Sequence, residues 1–297
     1  MPTDANRLGV MFARERPTTE LPGFARELDA AGVDDLWVVE DLTWAGSIAT
    51  AATALATTER LRVGIGVAPA PFRNPALLAM ELAALAELHP GRLIAGIGHG
   101  VPSWMAQVGA KVDSPLTLLE ETVVATRRLL DGETVTVDGR YVRISDVTLV
   151  HRPPVAPPLV TGVVRPKSLR LSGRVADGTV LAEGVGPDGI RASLARIAEG
   201  RAERADDSSD NTGHELIVFI DLVVNGSAEF VARIRADRAE LYGVTADEIT
   251  VAAGSPAEIA ATLGQLWDAG ATTMVLRPRG SDPSGDVGKV LTALGRN

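Results

Sequence analysis

Apolar and polar positions alternate along this chain on a long scale. Short apolar runs of strand length are followed by mixed stretches of helix length, and the pair repeats. The runs "RLGVMF" (Arg7–Phe12), "DDLWVVED" (Asp34–Asp41), "LRVGIGVA" (Leu61–Ala68) and "RLIAGIG" (Arg92–Gly98) read as strands. Between and after them lie helices: "TTELPGFARELDAAG" stopped by Gly32, "GSIATAATALATT", "NPALLAMELAALAEL" with Pro75 in its first turn, and "PLTLLEETVVATRRLLDG" stopped at Gly132. Leu36–Val39, Val63–Val67 and Leu93–Ile97 are near-continuous apolar runs, the pattern of parallel strands buried on both faces.

The alternation then pauses. Glu133–Leu149 switches to period two around Asp138-Gly139, which predicts an antiparallel surface hairpin, and "HRPPVAPP" follows as an extended connector. Strands near Leu159, Thr179, Leu216 and Thr273, each with helical stretches after it, resume the first pattern, while "ADDSSDNTG" (Ala205–Gly213) reads as a solvated loop. Strands near Arg7, Asp35, Arg62 and Leu93 complete a set of eight, which predicts an α/β fold of the (β/α)8 TIM-barrel type, one domain over residues 1–297 with the hairpin excursion at about 133–149. A doubly wound sheet is the poorer fit, since the first strand runs into "MFARERP" with no G-x-G-x-x-G turn.

Composition narrows the chemistry. The 297 residues contain no cysteine, which removes disulfides, thiolate catalysis, Fe–S clusters and Cys-type zinc sites. The four histidines are dispersed, with no His-x3-His spacing, so no metal is expected. A net charge of −9, no basic stripe and 4% aromatics argue against nucleic acid as a partner. The apolar runs are broken well short of a membrane span, and "MPTDANRLGVMFARERP" lacks the pattern of a signal peptide, so a cytoplasmic protein without membrane contact is expected.

In barrels of this kind the chemistry sits where strands end. Ala13-Arg14, Glu40-Asp41, "APAPFR" (Ala68–Arg73), "GHGV" (Gly98–Val101), Gly162–Lys167, "AEG" (Ala182–Gly184) and Arg277 occupy those places. Glycines there let a backbone approach a flat ligand closely, or simply pack tightly. His99 is a candidate donor to a ring carbonyl or a substrate, or a loop residue bonded to backbone. Glu40 and Asp41 are candidate mouth-organising carboxylates, with Asp41 an acid–base group if desolvated. Arg165, Lys167 and Ser168 surround the start of a helix at Pro166, where free N–H groups face an anion. Trp44, Pro69, Phe72, Trp104 and Met105 cluster after strands two to four as possible walls of an apolar substrate pocket, and "VPSWMAQVGAKVDS" (Val101–Ser114) reads as a lid.

The blocks "LWVVED…W", "GIGVAPAPFRNPALLAMELAALAELHPGRLIAGIGHG", "LLEETVVATRRLLDGETVTVDGRYV" and "PKSLRLSGRVADGTVL" occur in that order. They resemble the bacterial luciferase-like superfamily of flavin- or deazaflavin-dependent oxidoreductases, most closely the actinobacterial branch that uses coenzyme F420. The resemblance runs over roughly the whole chain. It implies a luciferase-like barrel and hydride transfer between F420 and a small organic substrate. It implies a non-prolyl cis peptide at Gly66–Val67, whose bulge, with Ala68, supports the back of the cofactor's ring. It implies that Glu40, Gly98, Gly100, Gly162, Val163, Val164, Arg165, Lys167 and Ser168 surround the cofactor, with Asp41 and His99 nearest the chemistry, and it implies a homodimer. The family often carries a histidine where this chain has Asp41 and a glutamate where it has Val101; both departures speak against dehydrogenation of a sugar phosphate.

Three alternatives stand beside this reading: a monooxygenase using reduced FMN, a flavin- or deazaflavin-binding barrel without turnover, and an aldolase-type lyase. F420 carries the longer anionic tail and suits the basic groups Arg165, Lys167 and Arg277. A Schiff-base lyase lacks a strand-end lysine. The Ala-rich segments Gly46–Thr57 and Pro75–Leu88 could supply a contact face for a second copy.

Overall fold

The computed structural model describes residues 6–204 and 213–296, so the expected loop at Ala205–Gly213 lies, apart from Gly213, outside the described residues. The eight expected strands are β1 (Arg7–Met11), β2 (Asp35–Val38), β3 (Arg62–Ile65), β4 (Leu93–Gly98), β5 (Leu159–Gly162), β6 (Gly178–Leu181), β7 (Glu215–Val224) and β8 (Thr273–Pro278). Each pairs in parallel with the next in this order, and β8 pairs with both β7 and β1, so the ring closes into a (β/α)8 TIM barrel.

The helices are α1 (Leu21–Ala30), α2 (Ser47–Thr57), α3 (Pro75–Leu88), α4 (Pro102–Gln107), α5 (Pro115–Leu130), α6 (Pro166–Val175), α7 (Pro187–Arg201), α8 (Ala228–Tyr242), α9 (Pro256–Asp268) and α10 (Pro283–Ala293). Most open on proline, whose fixed φ suits the first turn and whose missing N–H costs nothing there. Asn74, Ser114, Ser227, Ser255 and Asp282 cap five of them through side-chain oxygens. The hairpin forms between Val135–Asp138 and Arg143–Val147. It is tied down by Glu121 of α5, which accepts the backbone N–H groups of Arg140, Tyr141 and Val142 at 2.8–2.9 Å.

Two features lay below the reach of the hydrophobic pattern. Ala252–Gly254 adds a short parallel strand beside the end of β7, too brief and small-sided to show a period. The expected lid contains the six-residue helix α4, which carries Trp104 and Met105.

Apolar residues divide between a large layer of strand-against-helix contacts and a smaller cluster inside the ring: Met11, Trp37, Ile94, Val160, Val180, Ile217, Phe219 and Val275. Trp37 fills the lumen. A Cβ on Gly64 of the neighbouring strand would lie 2.4 Å from its indole, so only glycine fits there. Below the lumen, at the N-terminal ends of the strands, Arg62 grips both oxygens of the fully buried Asp35 at 2.7 and 2.9 Å and reaches Glu215 at 2.9 Å. Arg7 adds a 2.9 Å bond to Asp35, and the Thr273 hydroxyl donates to Glu215 at 2.8 Å. This polar floor was not anticipated. Its only trace in the sequence is a charged or hydroxyl residue at the first position of β1, β2, β3, β7 and β8.

Candidate active site

The C-terminal mouth of the barrel is built around an irregularity in β3. The four steps from Gly64 to Ala68 face only three in β4, from Ile94 to Ile97, because Gly64 pairs with Ile94 and Ala68 with Ile97. The extra residue is absorbed at Gly66–Val67, where the peptide is cis, as the resemblance implied. The bulge throws the Val67 side chain across β4 and β5. A Cβ on Gly98 would fall 2.5 Å from Val67 Cγ2, and one on Gly162 2.8 Å from Val67 Cγ1. A Cβ on Gly96 would meet the Ile65 carbonyl oxygen at 2.0 Å. Gly96, Gly98 and Gly162 therefore seat the bulge: the space they leave is taken by Val67, which closes the lumen and floors the mouth. Gly100 adopts φ +72°, and a Cβ there would press on the sulfur of Met105 at 2.8 Å. Ala68 is buried beside the bulge.

Arginine–carboxylate pairs line the mouth. Glu40 accepts two bonds from Arg73, at 2.7 and 2.9 Å, and one from the Ser47 hydroxyl at 2.7 Å. The bond to Glu40 holds the Arg73 guanidinium above its ordinary pKa against the opposing effect of burial. Asp41 pairs through Oδ2 with Arg14, which follows β1. Its Oδ1 has no hydrogen bond among the described residues. The Arg14 guanidinium also lies 5.6 Å from the ring centre of Trp44 and 6.0 Å from that of Trp104, so it ties together the loops after β1, β2 and β4.

On the far side, Arg277 at the end of β8 bonds Glu183 and Glu15, each at 2.9 Å. Arg238 of α8 bonds Glu183 at 3.0 Å and Asp221 at 2.8 Å. Burial pushes the Glu183 carboxyl upward, but the charges of Arg238 and Arg277 outweigh it and hold the group ionised below the usual carboxylate range. Tyr242, half-buried near Glu183, is pushed up to about 12 by desolvation and stays a neutral phenol.

The candidate residues divide into those the structure brings together and those it sets apart. His99 is half-buried with both nitrogens engaged. Nδ1 lies 3.2 Å from the Pro115 carbonyl, and Nε2 lies 3.0 Å from the hydroxyl of Ser168. The carbonyl can only accept, so Nδ1 carries the proton and Nε2 accepts from Ser168. Burial lowers the His99 pKa, partly offset by the bond to Pro115, so the ring is neutral at pH 7. Ser168 is thus a buried tether for His99. Val163 is packed in the core, and Met105 is buried beneath Gly100. Phe72 is half-buried in the turn before α3, while Trp44 is 49% exposed at the rim.

Val164 and Arg165 open onto a cavity of about 680 Å³, whose other walls are Ala182–Gly189, Leu241, Tyr242, Val244, Glu248 and Ile249. The starts of α6 and α7 both border it, and neither helix has a side-chain cap. Arg165 and Lys167 are exposed and form no ion pair among the described residues. Sequence reading had stopped at Gly184; the "GVGPDG" run that opens α7 was the available signal for the rest of this wall. Among the described residues no cluster of metal-binding groups forms, and no helix is long and apolar enough to cross a membrane.

The model of the luciferase-like monooxygenase family matches residues 4–236. An F420-dependent glucose-6-phosphate dehydrogenase from Beutenbergia cavernae is 30% identical over 246 residues, 78% of this chain and 72% of that protein. A 5,10-methylenetetrahydromethanopterin reductase from Methanolobus tindarius is 27% identical over 202 residues, 68% of this chain but only 61% of the reductase. Among solved structures, an F420-dependent secondary alcohol dehydrogenase in complex with an F420–acetone adduct superposes with a TM-score of 0.84 at 20% identity, covering 97% of this chain and 98% of that one. At that identity the likeness speaks for the fold.

Proposed function

The chain belongs to the luciferase-like monooxygenase family, and from that premise we propose that it is an oxidoreductase that passes hydride between coenzyme F420 and a small organic substrate at the mouth of the barrel. The observation that carries this reading is the junction of two features. One is a bulged shelf, Gly66–Val67–Ala68, with the Gly98–Gly100 turn beside it. The other is the adjoining cavity, lined by the unpaired cation Arg165, with Lys167 exposed in the first turn of α6.

The residues suit such a cofactor. A planar ring needs a surface without protruding side chains, and the glycines with the folded-away Val67 supply one. An anionic tail needs donors and positive charge; Arg165, Lys167 and the uncapped starts of α6 and α7 supply both. When bound, F420 supplies the hydride acceptor or donor. The protein's own part is placement. Val164 and Gly184–Gly186 line the tail's path, Glu40 holds Arg73 away from the shelf, and Trp44 and Trp104 shield the mouth from water. Asp41 presents Oδ1 as the group that takes or returns a substrate proton, while Arg14 fixes its carboxylate. His99, locked by Pro115 and Ser168, positions the Gly98–Gly100 turn.

FMN, with a single phosphate and a shorter tail, would leave much of this cavity unused, which favours F420. The reading also includes a cytoplasmic setting, which a cysteine-free chain suits, and a homodimer, supported by Leu77 and Met80, each 57% exposed on one face of α3. The test is titration of the purified protein with F420 and with FMN, followed by absorbance. Saturable binding of F420, with substrate-dependent bleaching of its visible band, is expected. Binding of FMN alone, or of neither, overturns the assignment.

A further inference from the structure

We propose that the reacting half of the mouth is built for an uncharged organic substrate, an alcohol or carbonyl compound, and that the Arg14–Asp41 pair turns anionic substrates away. The inference rests on the F420 reading above and names the substrate class for that site.

Its basis is how charge is committed around the mouth. Arg14 is held by Asp41, Arg73 by Glu40, Arg277 by Glu183 and Glu15, and Arg238 by Glu183 and Asp221. Arg279 also leans on Asp221 at 3.6 Å. An entering phosphate or carboxylate finds no unpaired cation on this side. It must displace a carboxylate, which would then sit unpaired in a partly desolvated place. The most exposed charged side chain of the set is an acid: Glu15 at 50%, against 8% for Arg277 and 22% for Arg73. The charges cancel in pairs, so an approaching anion meets no net attraction.

What remains unsatisfied is a hydrogen bond rather than a charge. The Nε–H of Arg277 is buried with no acceptor, and Asp41 Oδ1 has no donor. A neutral hydroxyl donates to Asp41 Oδ1, and a hydroxyl or carbonyl oxygen accepts from a free Nε–H. The indoles of Trp44 and Trp104, packed against Arg14, give such a molecule apolar walls. The unpaired cations Arg165 and Lys167 lie across the mouth, beside the cavity assigned to the cofactor tail. The free cations thus lie on the cofactor side, where the Glu183 that Arg277 and Arg238 hold also lines the cavity, while the reacting half carries only the Arg14–Asp41 and Arg73–Glu40 pairs. Glucose 6-phosphate, the substrate in the name of the Beutenbergia relative, is on this account a poor ligand.

The experiment uses the full chain, first loaded with F420 as verified by absorbance. Cyclohexanol and glucose 6-phosphate are then titrated at matched ionic strength and read by calorimetry and tryptophan fluorescence. In the wild type, glucose 6-phosphate binds at least about tenfold more weakly than cyclohexanol, or not at all. Asp41→Asn frees the Arg14 guanidinium and raises affinity for glucose 6-phosphate by about tenfold or more, while cyclohexanol, for which Oδ1 is the acceptor, binds no more tightly than to the wild type. Glu15→Gln, which frees one side of Arg277, shifts affinity the same way and serves if Asp41→Asn does not fold. Tight binding of glucose 6-phosphate by the wild type, or no gain in both variants, overturns the proposal. If F420 itself does not bind, the functional reading fails instead. The same titrations on the unloaded chain carrying Arg165→Ala and Lys167→Ala still decide the charge argument.

Discussion

The two ends of this barrel are sealed by the same kind of bond and serve different ends. At the floor, Asp35 is fully buried and clasped by Arg62 and Arg7, with Glu215 and Thr273 completing the set. At the mouth, Arg14, Arg73 and Arg277 are each paired too, but Glu15 is half-exposed and Asp41 keeps a free oxygen. A buried pair is costly to break because the survivor stays desolvated; an exposed pair is cheap because water replaces the partner. Floor pairs, and at the mouth the buried Arg277–Glu183 pair, are therefore expected to govern stability, and the more open pairs of Arg14 and Arg73 to govern what binds.

The sharpest break of that comparison is Arg62→Met. It leaves Asp35 to Arg7 alone and Glu215 to the Thr273 hydroxyl, with no cation, and should cost about 3–5 kcal/mol in urea unfolding. Arg73→Met at the mouth, where Glu40 retains Ser47 and some access to water, should cost about 1 kcal/mol or less. Equal losses would erase the distinction between the two ends.

Histidine offers a second contrast. His214 stands immediately before β7 at the floor, bonded to the Thr179 hydroxyl at 2.7 Å. Burial, helped by Arg201 and Arg204, pushes its pKa down to about 4. Its folded value is depressed, so the unfolded chain takes up a proton first as pH falls. Its contribution is complete above about pH 6.5, is lost between there and about pH 4, and amounts to about 3 kcal/mol at most. His214→Gln should flatten that part of the stability–pH curve. An unchanged slope would mean the floor is not where the acid sensitivity lies.

At the shelf, Gly98→Val must push aside Val67, whose Cγ2 would be 2.5 Å from the new Cβ. The expected result is a loss of about 1–3 kcal/mol in stability and a fall of about tenfold or more in F420 affinity. Val67→Ala in the same chain should recover much of the stability. If it recovers none, the glycines do not serve the bulge.

How much of this was written in the sequence depends on the distance between partners. The strand ends were legible because each is local: an apolar run stops, and glycines or polar residues follow. The place of the bulge was legible from "GIGVAPAPFRNP" through resemblance. Its packing was not: Gly98 and Gly162 look open to a ligand in the sequence, yet it is Val67, on a neighbouring strand, that occupies the space beside them. The state of the charges was not legible either. Arg277 reads as a free rim cation until its partners are seen, Glu183 at 94 residues' separation and Glu15 at 262. Arg62 and Glu215, 153 residues apart, hid the floor in the same way. Asp41 and His99 were both legible as strand-end polar groups, but only the coordinates show that His99 has spent both nitrogens while Asp41 has not.

The smallest predicted effect tests the part of the mouth where charge is left unpaired. Arg165 and Lys167 are solvent-exposed, so each contributes attraction that salt screens rather than a rigid bond. Replacing both by alanine should weaken F420 binding by about tenfold at low ionic strength, and by less at high salt, with unfolding in urea nearly unchanged. Arg73→Met combined with Glu40→Gln should show no such salt dependence, because it removes a charge together with the counter-charge 2.7 Å away. If both variants lose affinity with the same salt slope, the mouth carries one continuous positive field. The division between a corner that holds an anion and a half that admits a neutral molecule would then be wrong.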